Sequence, residues 1–134
     1  MAIKVKLLKN NIKGSANFGK YYAKSVSQGE ISLADIMKEV QANCSLKEAD
    51  VIHVVKELHA TMKRHLANGQ TIDLEGIGRF RLGVESKCVD DPKKFNIRHH
   101  IRRVICRFLP ASSRNQDGTL KYDFCEDVKV ERQK

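Results

Sequence analysis

QTIDLEGIGRFRLGV, residues 70–84, is where the chain changes its period. Upstream, apolar residues recur at every third or fourth position; here they alternate. Ile72 and Leu74, then Phe80, Leu82 and Val84, fall on one side, as in a strand with one buried and one wetted face. Glu75-Gly76 supplies the turn between two strands, and Gly78 marks a close backbone approach or a bulge. The apolar side of such a hairpin needs a layer to pack on.

That layer is encoded just before it. Ser32 with Asp35 resembles a capping box and opens LADIMKEVQAN, whose Leu33, Ile36, Met37 and Val40 share a face. Ser45 with Glu48 offers the same signal for a second helix, expected from about residue 46 to residue 68. Val51, Val54, Val55, Leu58, Met62 and Leu66 form its apolar stripe, and Asn68-Gly69 ends it with a residue suited to a left-handed cap. The stripe is long for so small a domain and also suits a dimer interface.

Downstream, ESKCVDDPKKFN (85–96) is polar with Pro92 near its middle, and reads as an excursion between strands. RHHIRRVICRFLP (98–110) then carries Arg98, Arg102, Arg103 and Arg107 without an acid. A solvated loop would not need Val104, Ile105 and Phe108, so a strand is expected. With Val104, Cys106 and Phe108 toward the core, Arg103 and Arg107 face away, and the same parity turns Arg79 and Arg81 outward. Asp73 and Glu75 also point outward and could pair with Arg79 or Arg81, at little gain in stability. No comparable partner is evident for Arg103 and Arg107.

At the ends, IKVKLL (3–8) alternates apolar and basic residues, NNIKGSANFG is a turn-rich connector, and KYYAKSVS (20–27) has strand composition. FCEDVKVE (124–131) reads as a strand that could pair with IKVKLL, or as a frayed basic tail.

The 134 residues suit one domain, and 41% hydrophobic content can fill a core. The net charge of +9 points to nucleic acid or an acidic surface as partner. It comes from two segments, 1–30 and 98–114, each at +5, while the rest nearly balances. No apolar run is long enough to span a membrane, and no signal-peptide pattern is present. Cys44, Cys88, Cys106 and Cys125 form no CxxC pair and read as reduced thiols, implying a cytoplasmic setting. His53, His59 and His65, six apart, scatter around a helix. His99 and His100, read as strand neighbours, point to opposite faces. No Ser/His/Asp set, paired catalytic carboxylates or GxxxxGK loop appears, so no enzyme, cofactor, metal or small-molecule substrate is expected.

CSLKEADVIHVVKELHATMKRHLANGQTIDLEGIGRFRL (44–82) resembles the bacterial histone-like HU/IHF family, with its capped helix entry, long apolar helix, Ala-x-Gly end and Leu-x-Gly-Phe-Gly-x-Phe hairpin. Here the hairpin reads LEGIGRF, with Ile77 in place of the usual Phe, and RFLP (107–110) is similar to the family's Phe-Lys-Pro-Gly. The terminal segments resemble a longer HU-related subgroup that starts with a MAIKxKL-like strand. The resemblance implies an α+β fold in which N-terminal helices pack under a three-stranded antiparallel sheet with a β-ribbon arm, in an intertwined dimer. On this reading residues 1–30 are a basic β extension, 31–110 the DNA-binding core with its arm at about 83–103, and 111–134 a C-terminal extension.

The resemblance also implies sequence-nonspecific binding of double-stranded DNA by a nucleoid-associated architectural protein, most simply a homodimer. Arg79, Arg81, Arg103 and Arg107 map to the saddle that holds DNA. Lys87, Pro92, Lys93, Lys94, Arg98 and Arg102 map to the arm. Val55, Leu58, Met62, Ile77, Phe80 and Phe108 are the expected dimer contacts. The family's arm tip is Arg-Asn-Pro, whose proline wedges into a base step. Here VDDPKK places Asp90 and Asp91 beside Pro92, which argues against sharp bending. Two other readings stay open: a basic RNA-binding or ribosome-associated protein, and an HU-derived protein-assembly module with weak DNA binding.

Overall fold

The computed structural model describes residues 2–134. In chain order it comprises β1 (Ala2–Lys9), β2 (Tyr21–Val26), α1 (Leu33–Ala42), α2 (Glu48–Ala67), β3 (Ile72–Leu74), β4 (Gly78–Ser86), a helical turn α3 (Ile97–His100), β5 (Ile101–Pro110), β6 (Ser112–Arg114), β7 (Leu120–Tyr122) and β8 (Lys129–Arg132). The strands form three separate sheets, ordered β2-β1-β8, β3-β4-β5 and β6-β7.

The helix starts follow unequal chemistry. At α1 the Ser32 hydroxyl accepts from the Asp35 N–H at 3.2 Å, the N-cap half of the expected capping box, and donates to the Asp35 carboxylate at 2.8 Å, where a full box would have the Ser32 N–H as donor. At α2 the expected cap fails. The helix begins at Glu48, its N-cap is Lys47, and no side chain caps it. Ser45 stands two residues before that N-cap position. Glu48 and Asp50 instead place negative charge near the helix start. The far end matches expectation, with Asn68 as C-cap and Gly69 at φ +80°.

The sheet β3-β4-β5 is antiparallel throughout. The turn at Glu75-Gly76-Ile77 closes with the Ile77 N–H donating to the Leu74 carbonyl at 2.9 Å. Gly78 is required by close approach: a Cβ there would stand 2.4 Å from the Leu109 carbonyl oxygen and 2.6 Å from the Phe108 ring. Its φ of +152° adds a second reason for glycine. Phe80 and Phe108 sit opposite each other and stack with centroids 4.7 Å apart.

Residues 98–100 correct the expected strand. They belong to the turn α3, capped by the Asn96 side chain, which accepts from the Arg98 N–H at 2.9 Å. His99 and His100 are therefore on a helical turn and not on opposite faces of a strand. The β4–β5 pairing reaches Ser86 and Ile101 after an irregularity at Glu85/Ser86. Beyond it the chain folds into helical turns at Pro92–Lys94 and Ile97–His100.

The terminal segments make the second three-stranded sheet. β1 pairs antiparallel with β2, and β8 lies parallel to β1 on the other side, with Lys4 against Glu131. Their ammonium and carboxylate meet at 2.5 Å. The strand reading of 124–131 thus holds only at its end, since Asp123–Cys125 form a helical turn and β8 begins at Lys129, and no helix or strand of the β3-β4-β5 unit packs extensively on this sheet.

Helix α2 lies against β3 and β4, and α1 against α2, yet burial is sparse. Among the described residues only Met37, at 3% exposure, and Val51, at 8%, are buried hydrophobic side chains. Val104 and Phe108 occupy the core-facing side expected of them but remain 62% and 46% exposed. The accessible surface is 12,028 Å², against roughly 7,100 Å² for a compact monomer of this mass. One chain alone does not cover its own apolar stripes.

Candidate nucleic-acid interface

Strand parity assembles the basic face. Phe80, Leu82 and Val84 of β4 pair with Phe108, Cys106 and Val104 of β5 and share one side. Arg79, Arg81, Gly83 and Glu85 pair with Leu109, Arg107, Ile105 and Arg103 and share the other. Four arginines therefore lie on one sheet face, as the alternation predicted. A groove of about 680 Å³ runs along Arg79, Arg81 and Arg107, with Thr71 and Leu109 on its walls.

The four are not equivalent. Arg79 meets Asp73 at 3.5 Å, a loose exposed pair. Arg103 is held by Glu85 through two bonds, Nε to Oε2 at 2.7 Å and Nη2 to Oε1 at 2.8 Å. The expectation that Arg103 lacks an acidic partner is therefore wrong. Its physical cause is direct: Glu85 is the residue opposite Arg103, so pleating sends both side chains the same way. The hydrogen bond from Arg103 holds the Glu85 carboxyl below its ordinary value, against a smaller desolvation effect, with help from Arg102 and Arg107. Glu85 in turn raises the Arg103 guanidinium above its usual value.

Arg81 and Arg107 remain. They stand directly opposite each other, and neither forms an ion pair among the described residues. Like charges facing each other across strands are destabilising. Gly83 leaves room for the Arg107 stem, since a Cβ there would lie 3.3 Å from the Arg107 Nε.

The tip between β4 and β5 is locally ordered. Asp91 caps the short helical turn Pro92–Lys94, accepting from the Lys93 N–H at 3.0 Å. His100 Nδ1 accepts from the Asn96 N–H at 2.8 Å, and its ring tilts against Phe95 at 5.3 Å. The Lys87 N–H donates to the His100 carbonyl at 2.7 Å and closes the base of the tip. Lys93, Lys94 and Arg98 lie on these turns, and Arg102 follows at the start of β5. Pro92 begins a turn and does not crown an extended ribbon.

Of the expected dimer contacts, Leu58, Ile77 and Phe108 are exposed, while Val55, Met62 and Phe80 are half-buried. Sequence reasoning missed Glu85 and Gly83. Alternation along β4 puts both on the face of Arg79 and Arg81, but that Glu85 stands opposite Arg103 depends on the β4–β5 register, which spacing within one strand does not fix.

The molecule is an α+β HU-related domain bearing an exposed basic sheet face. Residues 1–118 match the family described as "HU domain fused to wHTH, Ig, or Glycine-rich motif", and the chain belongs to that family. Among solved structures it is similar to the crystal structure of a "Putative bacterial DNA binding protein" from Bacteroides vulgatus ATCC 8482, with a TM-score of 0.64 at 11% identity. The similarity covers 98% of this chain and 47% of that one, so this chain spans about half the length of its structural relative. At this identity the likeness concerns the fold. No curated protein matches the chain. No helix is long and apolar enough to cross a membrane among the described residues.

Proposed function

We propose that this chain binds double-stranded DNA without sequence preference, as a homodimer, in the manner of a histone-like protein of the bacterial nucleoid. The observation that carries the reading is the Arg81–Arg107 juxtaposition: two guanidinium groups opposed across a strand pair with no carboxylate between them. A phosphate supplies the missing counter-charge, and guanidinium forks bind phosphate in a two-point geometry. Family membership and the name of the Bacteroides vulgatus structure support the same reading.

Contacts of this kind are sequence-independent. They neutralise backbone phosphates and release counterions, and need no catalytic group. The partly covered apolar side of the same sheet, with Phe80 and Phe108, the turn residue Ile77, and the α2 residues Val55, Leu58 and Met62 form the proposed dimer contact. A second copy supplies the apolar cover that one chain lacks. The setting is cytoplasmic, where the nucleoid lies.

Fluorescence anisotropy of a fixed duplex across a salt series tests the reading. If roughly six phosphates are neutralised per dimer, the log–log slope is about −5. A slope near zero, or equal affinity for unrelated neutral polymers, sinks it. Tighter binding to an A-form RNA duplex than to DNA would move the function to RNA.

A further inference from the structure

The terminal sheet β2-β1-β8 repeats the unusual feature of the arginine face with a different residue. Lys6 of β1 stands directly opposite Lys24 of β2. Parity places Lys4 and, across the parallel pair, Lys129 on the same side, whereas Ile3, Leu7 and Val130 are on the other. Lys4 is neutralised by Glu131 at 2.5 Å. Lys6, Lys24 and Lys129 form no ion pair among the described residues. Lys6 and Lys24 are both exposed.

We infer that this lysine face is a second phosphate-backbone contact surface, which takes a second segment of duplex DNA while the arginine face holds the first. Three observations carry it. Two ammonium groups opposed on neighbouring strands cost stability, and a polyanion removes that cost. Lysine is depleted in protein–protein interfaces, whereas neutralising phosphates is what Lys and Arg do on DNA. The lysines and the arginines also lie on two different sheets, β2-β1-β8 and β3-β4-β5, and no helix or strand of the arginine-bearing unit packs extensively on the lysine-bearing one, so each basic face is available to its own duplex.

The test uses the full chain and two short duplexes, one carrying a donor fluorophore and the other an acceptor. The wild type brings the two together and produces energy transfer. The variant Lys6→Gln/Lys24→Gln loses most of that transfer while still binding a single duplex through the arginine face. Its salt slope for the two-duplex complex is shallower by about 1.8 per chain engaged, at about 0.9 per lost contact. Its thermal midpoint is unchanged or higher, because a like-charge pair has been removed, so the loss is not a folding defect. Transfer unaffected by the double substitution overturns the inference, as does a wild type that binds one duplex but never captures a second. The arginine-face reading survives either result. A wild type that binds no duplex at all overturns both.

Discussion

On one face of β4 and β5, Arg81 stands opposite Arg107; on the other, Phe80 stacks on Phe108 at 4.7 Å. The same register produces both pairs, one residue apart on each strand. The aromatic pair attracts and helps hold the strands together, which lets the charged pair be carried at a cost. The faces are open for different reasons. The phenylalanine side is only partly covered, with Phe80 half-buried and Phe108 46% exposed, and a second copy can complete the cover; the arginine side lacks negative charge, which a phosphate can provide. A sheet with two unsatisfied faces of opposite character has the form of a layer between a dimer base and a polyanion.

The strongest way to break this comparison is at Phe80. With the apolar face closed by a second chain, Phe80→Ala should cost about 3–5 kcal/mol, the range for emptying a packed aromatic site. Urea unfolding at several protein concentrations measures it, and the midpoint should rise with concentration, since dimerisation is linked to folding. A loss near 1 kcal/mol with no concentration dependence would mean that the face stays open and the two sides are not complementary interfaces.

The charged side is sharpened by comparing its arginines. Arg81→Gln/Arg107→Gln should weaken duplex binding by roughly tenfold or more, since a lost hydrogen bond to a charged group is worth about 1.5 kcal/mol or above. Arg103→Gln should do much less, because Glu85 already occupies that guanidinium. Anisotropy at one salt concentration ranks them. If Arg103→Gln proves the more damaging, Glu85 releases its partner on DNA binding and the division between engaged and free arginines is wrong.

That division marks the limit of what the chain's letters disclose. The switch from helical to alternating spacing at residue 70 located α2, β3 and β4, and alternation placed Arg79, Arg81, Arg103 and Arg107 on one face. The α2 cap was misread because Ser-x-x-Glu at 45–48 matches a cap pattern without supplying its geometry. The strand was started too early because Arg98 to His100 have no apolar alternation of their own, and Asn96 captures them into a turn. Glu85 was missed because its pairing depends on the register across a fourteen-residue excursion (87–100), which spacing within one strand does not fix.

Pro92 gives a smaller effect than the free arginines. It opens a helical turn capped by Asp91, with Asp90 beside it, and two carboxylates there oppose close approach of phosphates. Pro92→Ala should change duplex affinity by less than about threefold, or about 0.6 kcal/mol. If it exceeds the loss from Arg81→Gln/Arg107→Gln, the tip is the main contact and the sheet face is secondary.

The smallest effect concerns Glu85 itself. Its carboxyl is held below the ordinary 4.5 by the bond from Arg103, so the folded protein binds that proton less readily than the unfolded chain. A depressed carboxyl contributes stability that is present above the unfolded value and is lost as pH falls through the folded one. The contribution should therefore fade below about pH 4.5, and because both partners lie at the surface it should be slight. Thermal melts of wild type and Glu85→Gln should differ a little at neutral pH and converge in acid. The same substitution releases Arg103, so at neutral pH duplex binding should tighten and the salt slope should steepen by up to about 0.9 per chain. Melts that stay parallel into acid would show that the Arg103–Glu85 pair contributes nothing to folding. An unchanged salt slope would show that Arg103, once freed, does not reach a phosphate, leaving Arg81 and Arg107 as the working pair of the face.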